Sequence, residues 1–490
     1  MAATTVAGCL RDKSILITGS TGFLGKLLVE KILRVQPGVK KLYLLVRAPD
    51  AASAKKLEND LFNSLREQHG ANFNRFIDAK INPLAGDIVH DNFGCKIPEI
   101  KELSEEINII INGAAMTKFY ERYDVALASN ALGVLYLVQF AKKCANLKIF
   151  LHVSTAYVAG EQEGILLEQP LKMGESRKQS SNLDIEAEIL LIEGLKSNLK
   201  QRFSGISDQL ENRAMKDFGM KRAKYFGWPN TYVLTKAMGE MLLSHLGGDL
   251  PVVIIRPSIV SSTIKDPMPG WIEGIRTMDT IIIGYGEQTI PCFLGDRNSI
   301  IDVIPGDMVI NAILVAVATH WNENTQVIYH VSSSHENQVP LNLITESMYR
   351  YFYLNGSIGS NATRKEKRLL LFHTYAYFFV YTFIVYMLPI EVLHIMNILI
   401  CGLFSRRYNM LNRNYNRLMI LAKMYAPYAF CKGRFDGTNL TRLRTVATMD
   451  YSDAPMYNFD PKCINWASYF LDIHIPAVVK HACKKKQDVR

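Results

Sequence analysis

Short runs of uniformly apolar residues recur along the first half of the chain, with helical stretches between them. The runs cover residues 14–18, 41–46, 80–84, 107–111, 148–153 and 252–255. Strands that are apolar throughout, instead of alternating with polar residues, are buried on both faces, as in a parallel sheet covered by helices. The pattern therefore predicts an α/β fold with a doubly wound parallel sheet, and helices such as 26–33 and 128–144 between its strands.

Two regions depart from this alternation of strands and helices. Residues 161–224 are charged and poor in strands, with one amphipathic helical run at 182–199, so we interpret them as an insertion. Beyond about residue 345 the alternation stops and a mainly helical region follows. The sequence thus predicts two domains, an α/β domain over residues 1–347 and a C-terminal helical domain over residues 348–490.

The C-terminal domain contains a long hydrophobic segment, residues 369–404, in which Glu391 is the single formal charge. A membrane hairpin, a segment lying at the membrane interface and a buried helix all remain open, because hydropathy does not separate them. Six aromatic residues within 375–383 favour the interface.

The excess of basic residues is also concentrated towards the C-terminal end of the chain. The net charge of the whole chain is +10, and residues 361–490 alone hold 19 basic and 8 acidic side chains. This excess suggests a membrane surface or an anionic ligand near the C-terminus, with an ordinary solvated basic face as the alternative.

The eight cysteines include no CxxC pair, which argues against a disulfide scaffold or a zinc ribbon and fits a reducing compartment. No metal site is predicted. The stretch before the first strand is too short for a secretory signal or a long transit peptide.

A glycine-rich turn follows the first strand and opens a helix. Its glycines have GxxGxxG spacing, which provides a tight turn, close approach of the backbone to a pyrophosphate, and close packing of helix on strand. The phosphates would lie at the N-terminus of the helix. The predicted cofactor-binding residues of this loop are Gly19, Thr21, Gly22, Phe23, Leu24 and Gly25.

The ends of the next three strands supply further cofactor contacts. Arg47 ends the second strand, where NAD enzymes usually carry an acidic residue, and a guanidinium suits the 2′-phosphate of NADP. After the third strand, Asp87 is placed to accept from the adenine amino group, with Ile88 beside it. After the fourth strand, the predicted contacts are Asn112, Ala114 and Ala115.

Two motifs point to acid–base chemistry. Tyr232 and Lys236 lie four residues apart, on one face of a helix, and a neighbouring ammonium lowers the pKa of a tyrosine phenol. Ser154 and Thr155 follow a strand, at the edge where open α/β sheets bind ligands, and a hydroxyl there can stabilise an oxyanion.

Together these motifs resemble the extended short-chain dehydrogenase/reductases, which have a Rossmann-type sheet. The segments 227–236 (GWPNTYVLTK), 255–260 (IRPSIV), 267–272 (PMPGWI) and 301–308 (IDVIPGDM) are similar to those of the plant alcohol-forming fatty acyl-CoA reductases, and the resemblance runs from about residue 10 to the end. Beyond about residue 348 it covers the male-sterility-type C-terminal domain. Gly306 departs from the pattern, since a larger residue is expected there.

The resemblance implies roles for named residues. Tyr232 is expected to be the acid, Lys236 to bind ribose and tune the phenol, and Thr155, with Ser154 as the alternative, to support the oxyanion. Pro257, Ser258 and Ile259 are expected at the nicotinamide.

The implied reaction is the NADPH-dependent reduction of long-chain or very-long-chain fatty acyl-CoA to a primary alcohol, as in wax, suberin or cutin synthesis. Two hydride transfers proceed through an aldehyde and release CoA. The implied location is the cytosolic face of the endoplasmic reticulum membrane, with peroxisome or plastid as alternatives.

The insertion must leave and rejoin the rim of the site, since 77 positions separate Thr155 from Tyr232. Its helix is a candidate cover for an acyl tunnel, although a solvated surface excursion is equally compatible with its composition. Its basic end offers contacts to CoA phosphates through Arg213, Lys216, Lys221, Arg222 and Lys224.

Three rival functions make different predictions. A sugar-nucleotide epimerase or hydroxysteroid-type dehydrogenase would select NAD and would have no hydrophobic C-terminal segment. Arg47 and residues 369–404 argue against this class. A lipid-binding protein with an inactive dehydrogenase domain predicts loss of a motif residue, but all are intact. Nucleic-acid binding has no supporting recognition motif, so no nucleic-acid partner is predicted. The oligomeric state is left open.

Overall fold

The computed structural model describes residues 4–48, 62–178, 181–202, 208–358 and 367–488. Contacts divide the chain into two compact units, each built from separate segments. The first comprises Met1–Met268, Ile304–Glu336 and Gly433–Lys462, and the second Pro269–Val303, Asn337–Lys432 and Cys463–Arg490. This division cuts the chain at several points and has no counterpart to the single predicted boundary at residue 348, so the extent of a C-terminal domain stays a prediction.

Thirteen strands occur within the described residues. They are β1 (Ser14–Thr18), β2 (Lys41–Val46), β3 (Ile81–Ala85), β4 (Ile109–Asn112), β5 (Ile149–Val153), β6 (Gly164–Leu166), β7 (Val252–Pro257), β8 (Ile259–Ser261), β9 (Cys292–Leu294), β10 (Val303–Pro305), β11 (Gln326–Val331), β12 (Leu370–Phe372) and β13 (Gly433–Phe435).

Ten α-helices lie in the first half of the described chain. They are α1 (Val6–Cys9), α2 (Phe23–Val35), α3 (Asn63–His69), α4 (Phe73–Lys80), α5 (Ile97–Glu106), α6 (Tyr123–Leu127), α7 (Gly133–Ala141), α8 (Ile185–Arg202), α9 (Asp208–Phe226) and α10 (Thr231–Leu246). A π-helical turn, Ala128–Leu132, joins α6 to α7.

The remaining α-helices follow in chain order. They are α11 (Thr277–Gly286), α12 (Gly306–Thr319), α13 (Leu341–Asn355), α14 (Tyr375–Thr382), α15 (Leu388–Leu399), α16 (Ser405–Ala429), α17 (Thr438–Asp450), α18 (Trp466–Ser468) and α19 (Ile475–Asp488).

The first unit is built on a parallel sheet of seven strands in the order β11-β7-β5-β4-β1-β2-β3. The predicted doubly wound sheet is thereby confirmed, and each of the six predicted strands overlaps one of its members. The chain fills one half with β1, β2 and β3, then crosses back to place β4 beside β1. Such a reversal of strand order is where open α/β sheets bind ligands, at the carboxyl ends of their strands.

The sheet is held by apolar side chains on both faces, as the uniform runs predict. The three isoleucines of β4, Ile109 to Ile111, are each at most 1% exposed. One hydrophobic cluster joins residues of β1, β4 and α7 with Ile254 of β7. A second cluster packs α10 against the insertion, through residues such as Met215 and Phe226 of α9. Burial of this apolar surface is the main force that holds the strands in register.

The second unit is mainly helical, with one short parallel pair of strands, β9 and β12. Beyond residue 345 the alternation does not stop completely, because β12 and β13 lie there, and β13 pairs with β6 in the first unit. Within the second unit, α14 continues into α15 through a π-helical turn at Phe383–Met387, and the turn and α15 pack against α16.

Candidate active site

Because its strands are parallel, the sheet brings the predicted site residues to one edge. β1 ends at the glycine loop, β2 at Arg47, β4 at Asn112, β5 directly before Ser154 and β7 at Pro257. The register pairs Thr18 with Asn112 and Asn112 with His152, so neighbouring strands end at nearly the same level. The residues that the sequence assigns to cofactor and catalysis are therefore neighbours in space.

The glycine loop has no room for side chains at two of its glycines. Gly19 has a φ of +70°, and a Cβ there would lie 2.6 Å from the backbone of Gly113 and Ala114. A Cβ on Gly25 would lie 2.2 Å from the carbonyl oxygen of Gly19. Gly22 is the N-cap of α2, so the first amides of this 13-residue helix open towards the loop. This cradle of backbone fits a pyrophosphate at a helix N-terminus.

The other predicted cofactor contacts lie around this loop. Arg47 is exposed at the end of β2, Asp87 is half-buried, and Ile88 is buried against Gly133. Ala114 and Ala115 are half-buried beyond β4. Within the glycine loop, Thr21 is exposed, Leu24 is half-buried and Phe23 is buried.

Helix α10 carries the tyrosine and the lysine. It begins after Asn230, whose Oδ1 accepts a hydrogen bond from the Val233 amide at 3.0 Å. Tyr232 is half-buried, and its ring stacks on Phe119 with 5.9 Å between ring centroids. Lys236, one turn further along, is 1% exposed. The helix therefore presents the phenol near the surface of the site and the amine in its interior.

The Lys236 amine has two partners on the neighbouring strand. Its Nζ donates to the carbonyl oxygen of Val153 at 2.8 Å and lies 3.3 Å from His152 Nε2. Burial lowers the pKa of Lys236 to about 8, although the carboxylate of Glu240 acts in the opposite direction. An amine with this pKa can exchange a proton at neutral pH.

The two hydroxyls after β5 are in different situations. Thr155 Oγ1 lies 3.5 Å from the Pro257 carbonyl oxygen, to which it donates, and accepts from the Tyr157 amide at 3.4 Å. Ser154 Oγ is buried and has no hydrogen-bond partner among the described residues. Ser258 Oγ, after β7, is also buried and has no hydrogen-bond partner among the described residues. Buried hydroxyls usually have partners, so both are suited to a bound ligand.

Strand β7 is anchored by a buried ion pair directly before the Pro257-Ser258-Ile259 segment. Arg256 Nη2 lies 2.6 Å from Glu240 Oε2, and both side chains are at most 2% exposed. Because Glu240 is on α10, the pair fixes that segment relative to the helix of Tyr232 and Lys236. A lone charge at either position would be costly to bury.

Asn130, which the sequence analysis missed, fastens the loop after β4 to α10. Its Oδ1 accepts from the Met116 amide at 2.8 Å, and its Nδ2 donates to Thr235 Oγ1 at 2.9 Å. Close approach at this point needs Gly239, where a Cβ would lie 2.2 Å from the Asn130 carbonyl oxygen. The signal that could have pointed to it is an amide side chain within a largely apolar helical run.

His152 is the second residue that the sequence analysis missed. It is completely buried within β5, between Asn112 and Lys236. The side chain of Asn112 lies inside this buried group, where its Oδ1 accepts from Thr18 Oγ1 at 2.6 Å, and a cofactor contact at Asn112 stays a prediction. A polar residue in an apolar strand was the available signal.

Gly306, the departure from the family pattern, has a packing explanation. It is the first residue of α12, and a Cβ there would lie 2.7 Å from the ring of Phe23 in the glycine loop. The missing side chain lets α12 pack directly on the start of α2. A larger residue would push the glycine loop out of the position in which its backbone can hold a pyrophosphate.

Some of the basic side chains at the end of the insertion contact other residues of the protein. Arg222 forms an ion pair with the buried carboxylate of Glu188, and its guanidinium lies over the rings of Tyr225 and Phe226. Lys216 lies over the ring of Tyr120. Arg222 is therefore unsuited to holding a CoA phosphate.

Similarity to known proteins agrees with this geometry. Residues 17–313 match an NAD-binding family model described as male sterility protein, and residues 385–485 match a second model with the same description. In fold, the chain is similar to the terminal R domain of the myxalamid PKS-NRPS pathway, with a TM-score of 0.57 at 18% identity over 97% of this chain and 92% of that one.

Two curated relatives are similar over nearly their whole length. The alcohol-forming fatty acyl-CoA reductase of Simmondsia chinensis is 44% identical over 96% of this chain and 97% of its own. Fatty acyl-CoA reductase 1 of Arabidopsis thaliana is 45% identical over 97% and 98%. The sheet, glycine loop and Tyr232–Lys236 helix define a Rossmann-type reductase of the extended short-chain dehydrogenase/reductase class, which uses a nicotinamide cofactor. Within this class, the chain belongs to the fatty acyl-CoA reductase family.

Proposed function

We propose that this protein reduces long-chain fatty acyl-CoA to the primary alcohol, with NADPH as the reductant. The observation that carries the proposal is the assembly of Tyr232, Lys236 and the buried hydroxyls of Ser154 and Thr155 at the strand ends beside the glycine cradle. The relatives named as fatty acyl-CoA reductases, similar over almost the whole chain, support the same reaction.

The choice of NADPH over NADH rests on Arg47. Its exposed side chain stands at the end of β2, next to β1 and its glycine loop, where the ribose of a bound dinucleotide is expected. A guanidinium binds phosphate through two parallel hydrogen bonds, whereas an NAD enzyme needs an acceptor for the ribose hydroxyls. The glycine loop, Asp87, Ile88, Ala114 and Ala115 would hold the rest of the nucleotide.

The chain's own groups supply the polar part of the chemistry. When bound, the reduced nicotinamide supplies the hydride. Thr155, with Ser154 as the alternative, donates a hydrogen bond to the carbonyl oxygen of the thioester as negative charge develops there. Tyr232 gives its phenolic proton to that oxygen, and Lys236 beside it restores the proton. Pro257, Ser258 and Ile259 would border the nicotinamide.

The overall reaction consumes two hydrides and two protons per acyl-CoA. The first hydride and proton convert the thioester to a hemithioacetal. Its carbon–sulfur bond then breaks, the hydroxyl proton passes to sulfur through solvent or protein groups, and CoA leaves as the thiol with an aldehyde remaining. The second hydride and a second proton from Tyr232 convert the aldehyde to the alcohol. In this scheme no cysteine forms a covalent intermediate.

Product analysis tests this proposal. Purified full-length protein with NADPH and palmitoyl-CoA or longer acyl-CoAs should yield fatty alcohol, with two NADPH consumed for each CoA released. Aldehyde as the sole product would assign the second reduction to another enzyme. Absence of CoA release across the chain-length series, with NADPH bound, would overturn the proposal.

The variant Tyr232→Phe tests the assignment of the acid. Loss of the proton donor should lower kcat by about 10²–10⁴-fold, while NADPH affinity stays within about threefold of wild type. Tyr225→Phe is the matched control, since this exposed tyrosine lies on α9 and a phenyl ring keeps its contact with Arg222. Substantial activity in Tyr232→Phe would remove Tyr232 from the acid role.

We also propose that the second unit binds a membrane surface. Among the described residues, two helical stretches are long and apolar enough to span a membrane, and they differ in burial. Tyr123–Ala141 is 56% buried and belongs to the core of the first unit, whereas Tyr375–Leu399 is only 17% buried. The exposed apolar side chains of this second stretch support a membrane contact. The cytosolic face of the endoplasmic reticulum is our proposed location, and peroxisome and plastid stay the alternatives.

A further inference from the structure

The chain enters the insertion shortly after Thr155 and returns from it shortly before Tyr232. Thr155 is the N-cap of a 3₁₀ turn, Ala156–Ala159, and Gly160 follows this turn. On the return, α9 ends and Gly227 leads towards the start of α10. Two short connections therefore link the insertion to the residues that are assigned to the chemistry.

Trp228 joins these two connections by a direct hydrogen bond. Its indole Nε1 donates to the carbonyl oxygen of Val158, in the 3₁₀ turn, at 3.0 Å, and both side chains are at most 1% exposed. The local sequence places the indole there, because Gly227 ends α9 with a φ of +88° and the Trp228 amide donates back to the Ala223 carbonyl oxygen at 2.9 Å. The indole thus ties the segment that begins at Thr155 to the segment that leads into α10.

Arg177, within the insertion, packs against both connections and against the indole. A Cβ added at Gly160 would lie 2.8 Å from Arg177 Cγ, and one added at Gly227 would lie 2.9 Å from Arg177 Cβ. The guanidinium carbon lies 5.9 Å from the centroid of a Trp228 ring, and Nη1 donates to Glu175 Oε1 at 2.9 Å. The stem of Arg177 therefore fills the space that side chains at the two glycines would need.

The backbone of the insertion closes the same junction. The Arg177 amide donates to the carbonyl oxygen of Phe226 at 3.0 Å, and Ser176 Oγ lies 3.1 Å from the same oxygen. Because Phe226 is the last residue of α9, the beginning of the insertion is hydrogen-bonded directly to its end. We call Arg177 and Trp228, with these backbone contacts, the clasp.

The position of Thr155 relative to Tyr232 matters for the proposed reaction, because both groups act on one oxygen atom. Thr155 donates a hydrogen bond to the carbonyl oxygen of the thioester, and Tyr232 gives its proton to the same oxygen. A misplacement of about 1 Å at reacting groups can lower a rate about 100-fold. A contact that fixes the two segments against each other therefore acts on the rate of reduction.

We propose that Trp228 is a positioning residue, which fixes Thr155 relative to Tyr232 through its hydrogen bond to Val158, and that Arg177 holds the indole in place. The insertion thus contributes to catalysis through the clasp at its base. The inference rests on the roles proposed above for Thr155 and Tyr232.

The transfer of a single hydride in Trp228→Phe tests the proposal. Phenylalanine keeps most of the buried ring and loses the N–H that bonds to Val158. Full-length protein with one bound NADPH is mixed with saturating palmitoyl-CoA, and oxidation of the nicotinamide is followed by its absorbance. We expect the rate constant of this phase to fall roughly tenfold, while its amplitude stays at the wild-type value.

The rate constant and the amplitude separate positioning from a merely structural role. The amplitude counts active molecules, so unfolding of part of the sample lowers the amplitude and leaves the rate constant of the folded molecules unchanged. A fall in the rate constant therefore supports the proposal. A rate constant in Trp228→Phe equal to or above that of wild type would overturn it.

Trp321→Phe is the matched control for the change of indole to phenyl. Trp321 precedes Asn322, whose amide donates to the Lys148 carbonyl oxygen at 3.0 Å. Lys148 lies directly before β5, so this tryptophan is at the edge of the sheet opposite to the site. Both the rate constant and the amplitude of Trp321→Phe should match those of wild type.

Two variants of Arg177 keep the proposal testable if Trp228→Phe does not fold. Arg177→Met keeps an unbranched stem beside Gly160 and Gly227, whereas Arg177→Ala removes it. We expect Arg177→Ala to lower the rate constant about three- to tenfold, and Arg177→Met to keep at least about half of the wild-type value. A wild-type rate constant in Arg177→Ala would overturn the role of Arg177 in holding the indole.

Failure of the proposal can be told apart from failure of the proposed function. If Tyr232→Phe and Thr155→Ala both transfer hydride at the wild-type rate, the roles on which the inference rests are wrong. If both are strongly impaired while Trp228→Phe and Arg177→Ala react at the wild-type rate, only the positioning role of the clasp is wrong.

Discussion

Three serines near the site are buried without a hydrogen-bond partner among the described residues: Ser20 in the glycine loop, Ser154 after β5 and Ser258 after β7. An unpaired buried hydroxyl costs about 1–3 kcal/mol, so such groups are retained where a ligand satisfies them. The hydroxyls of Ser154 and Ser258 lie at the carboxyl ends of β5 and β7, on the edge of the sheet where β1 ends at the glycine loop. At the scale of single residues, the site is thus prepared for a polar ligand before one is bound.

Arg47 supports a prediction about cofactor choice. Arg47→Ala should lower NADPH affinity roughly 10- to 100-fold, since hydrogen bonds to a charged group contribute about 1.5–3 kcal/mol, and should change NADH affinity little. Dissociation constants for both nucleotides, measured by fluorescence titration, check this. Arg75→Ala, an exposed arginine on α4, is the matched control. Equal losses for NADPH and NADH would end the assignment of the 2′-phosphate to Arg47.

At the scale of elements, the sequence predicts those strands whose runs are apolar throughout. β1 and β2 occur at the predicted residues because no polar side chain interrupts them. β11, Gln326–Val331, was missed because a glutamine and a histidine break its apolar run. α9 was missed because most of its residues are polar and its buried side chains are few. Both elements are held by tertiary packing, which a local pattern does not record.

The same limit applies to the site. The glycine loop, Tyr232 and Lys236 have fixed local spacing and could be predicted. His152 and Asn130 could not, because their partners lie far away in the sequence: His152 contacts Lys236, 84 positions away, and Asn130 contacts Thr235, 105 positions away. Buried polar contacts between distant elements depend on the sheet order, which the sequence pattern leaves open.

Glu168, which follows β6, leads to a prediction about how the stability of the fold depends on pH. Its carboxylate accepts from the His330 amide of β11 and the Asn439 amide at the start of α17, each at 2.8 Å. Burial raises the pKa of Glu168 to about 7, from 4.5 in the unfolded chain. The folded state therefore holds a proton that the unfolded state releases between pH 4.5 and 7. This contribution to stability is present below pH 4.5 and is lost as pH rises to about 7.

We expect the loss to be on the order of 2–3 kcal/mol between pH 5 and pH 8. Glu168→Gln cannot ionise, so it should be less pH-dependent than wild type, although its amide keeps only one of the two acceptors. Thermal unfolding midpoints at pH 5 and pH 8 measure the difference. Glu193→Gln, at an exposed position of α8, should behave as wild type. An unchanged pH dependence in Glu168→Gln would show that Glu168 is ionised in the folded state throughout.

At the scale of the whole molecule, charge and apolar exposure are concentrated in the second unit. Along α14, α15 and the π-helical turn between them, exposed residues include Tyr377, Ile384, Ile395 and Leu399. Helix α16 contains five basic residues and no acidic residue, and all five are exposed: Arg406, Arg407, Arg413, Arg417 and Lys423. The two surfaces belong to one hairpin, closed by the Phe404 amide, which donates to Asn397 Oδ1 at 2.8 Å. An apolar face beside a basic helix is suited to an anionic membrane surface.

The hairpin of α14, α15 and α16 leads to a prediction about how the protein binds membranes. Full-length protein should sediment with vesicles of phosphatidylcholine, and more strongly when phosphatidylserine is included. The double variant Arg406→Glu/Arg407→Glu should lower the preference for anionic over neutral vesicles roughly tenfold or more. The reason is that each basic residue near the membrane surface contributes about 1 kcal/mol. Ile395→Ser with Leu399→Ser should weaken binding to both kinds of vesicle. Leu354→Ser, at an exposed leucine of α13, is the control that should leave both unchanged.

Alkaline extraction distinguishes an interfacial hairpin from a spanning one. In the structure, α15 and the π-helical turn before it pack along α16, and Thr382 Oγ1, at the end of α14, lies 3.7 Å from Met419 Sδ. Arg413, Arg417 and Lys423 of α16 therefore run beside the apolar stretch, where a bilayer core would impose a high cost on each charge. We thus expect the hairpin to lie in the interface and the protein to be released from membranes by carbonate at pH 11. Retention in the pellet after carbonate would show that the segment spans the bilayer, with α16 rearranged away from it.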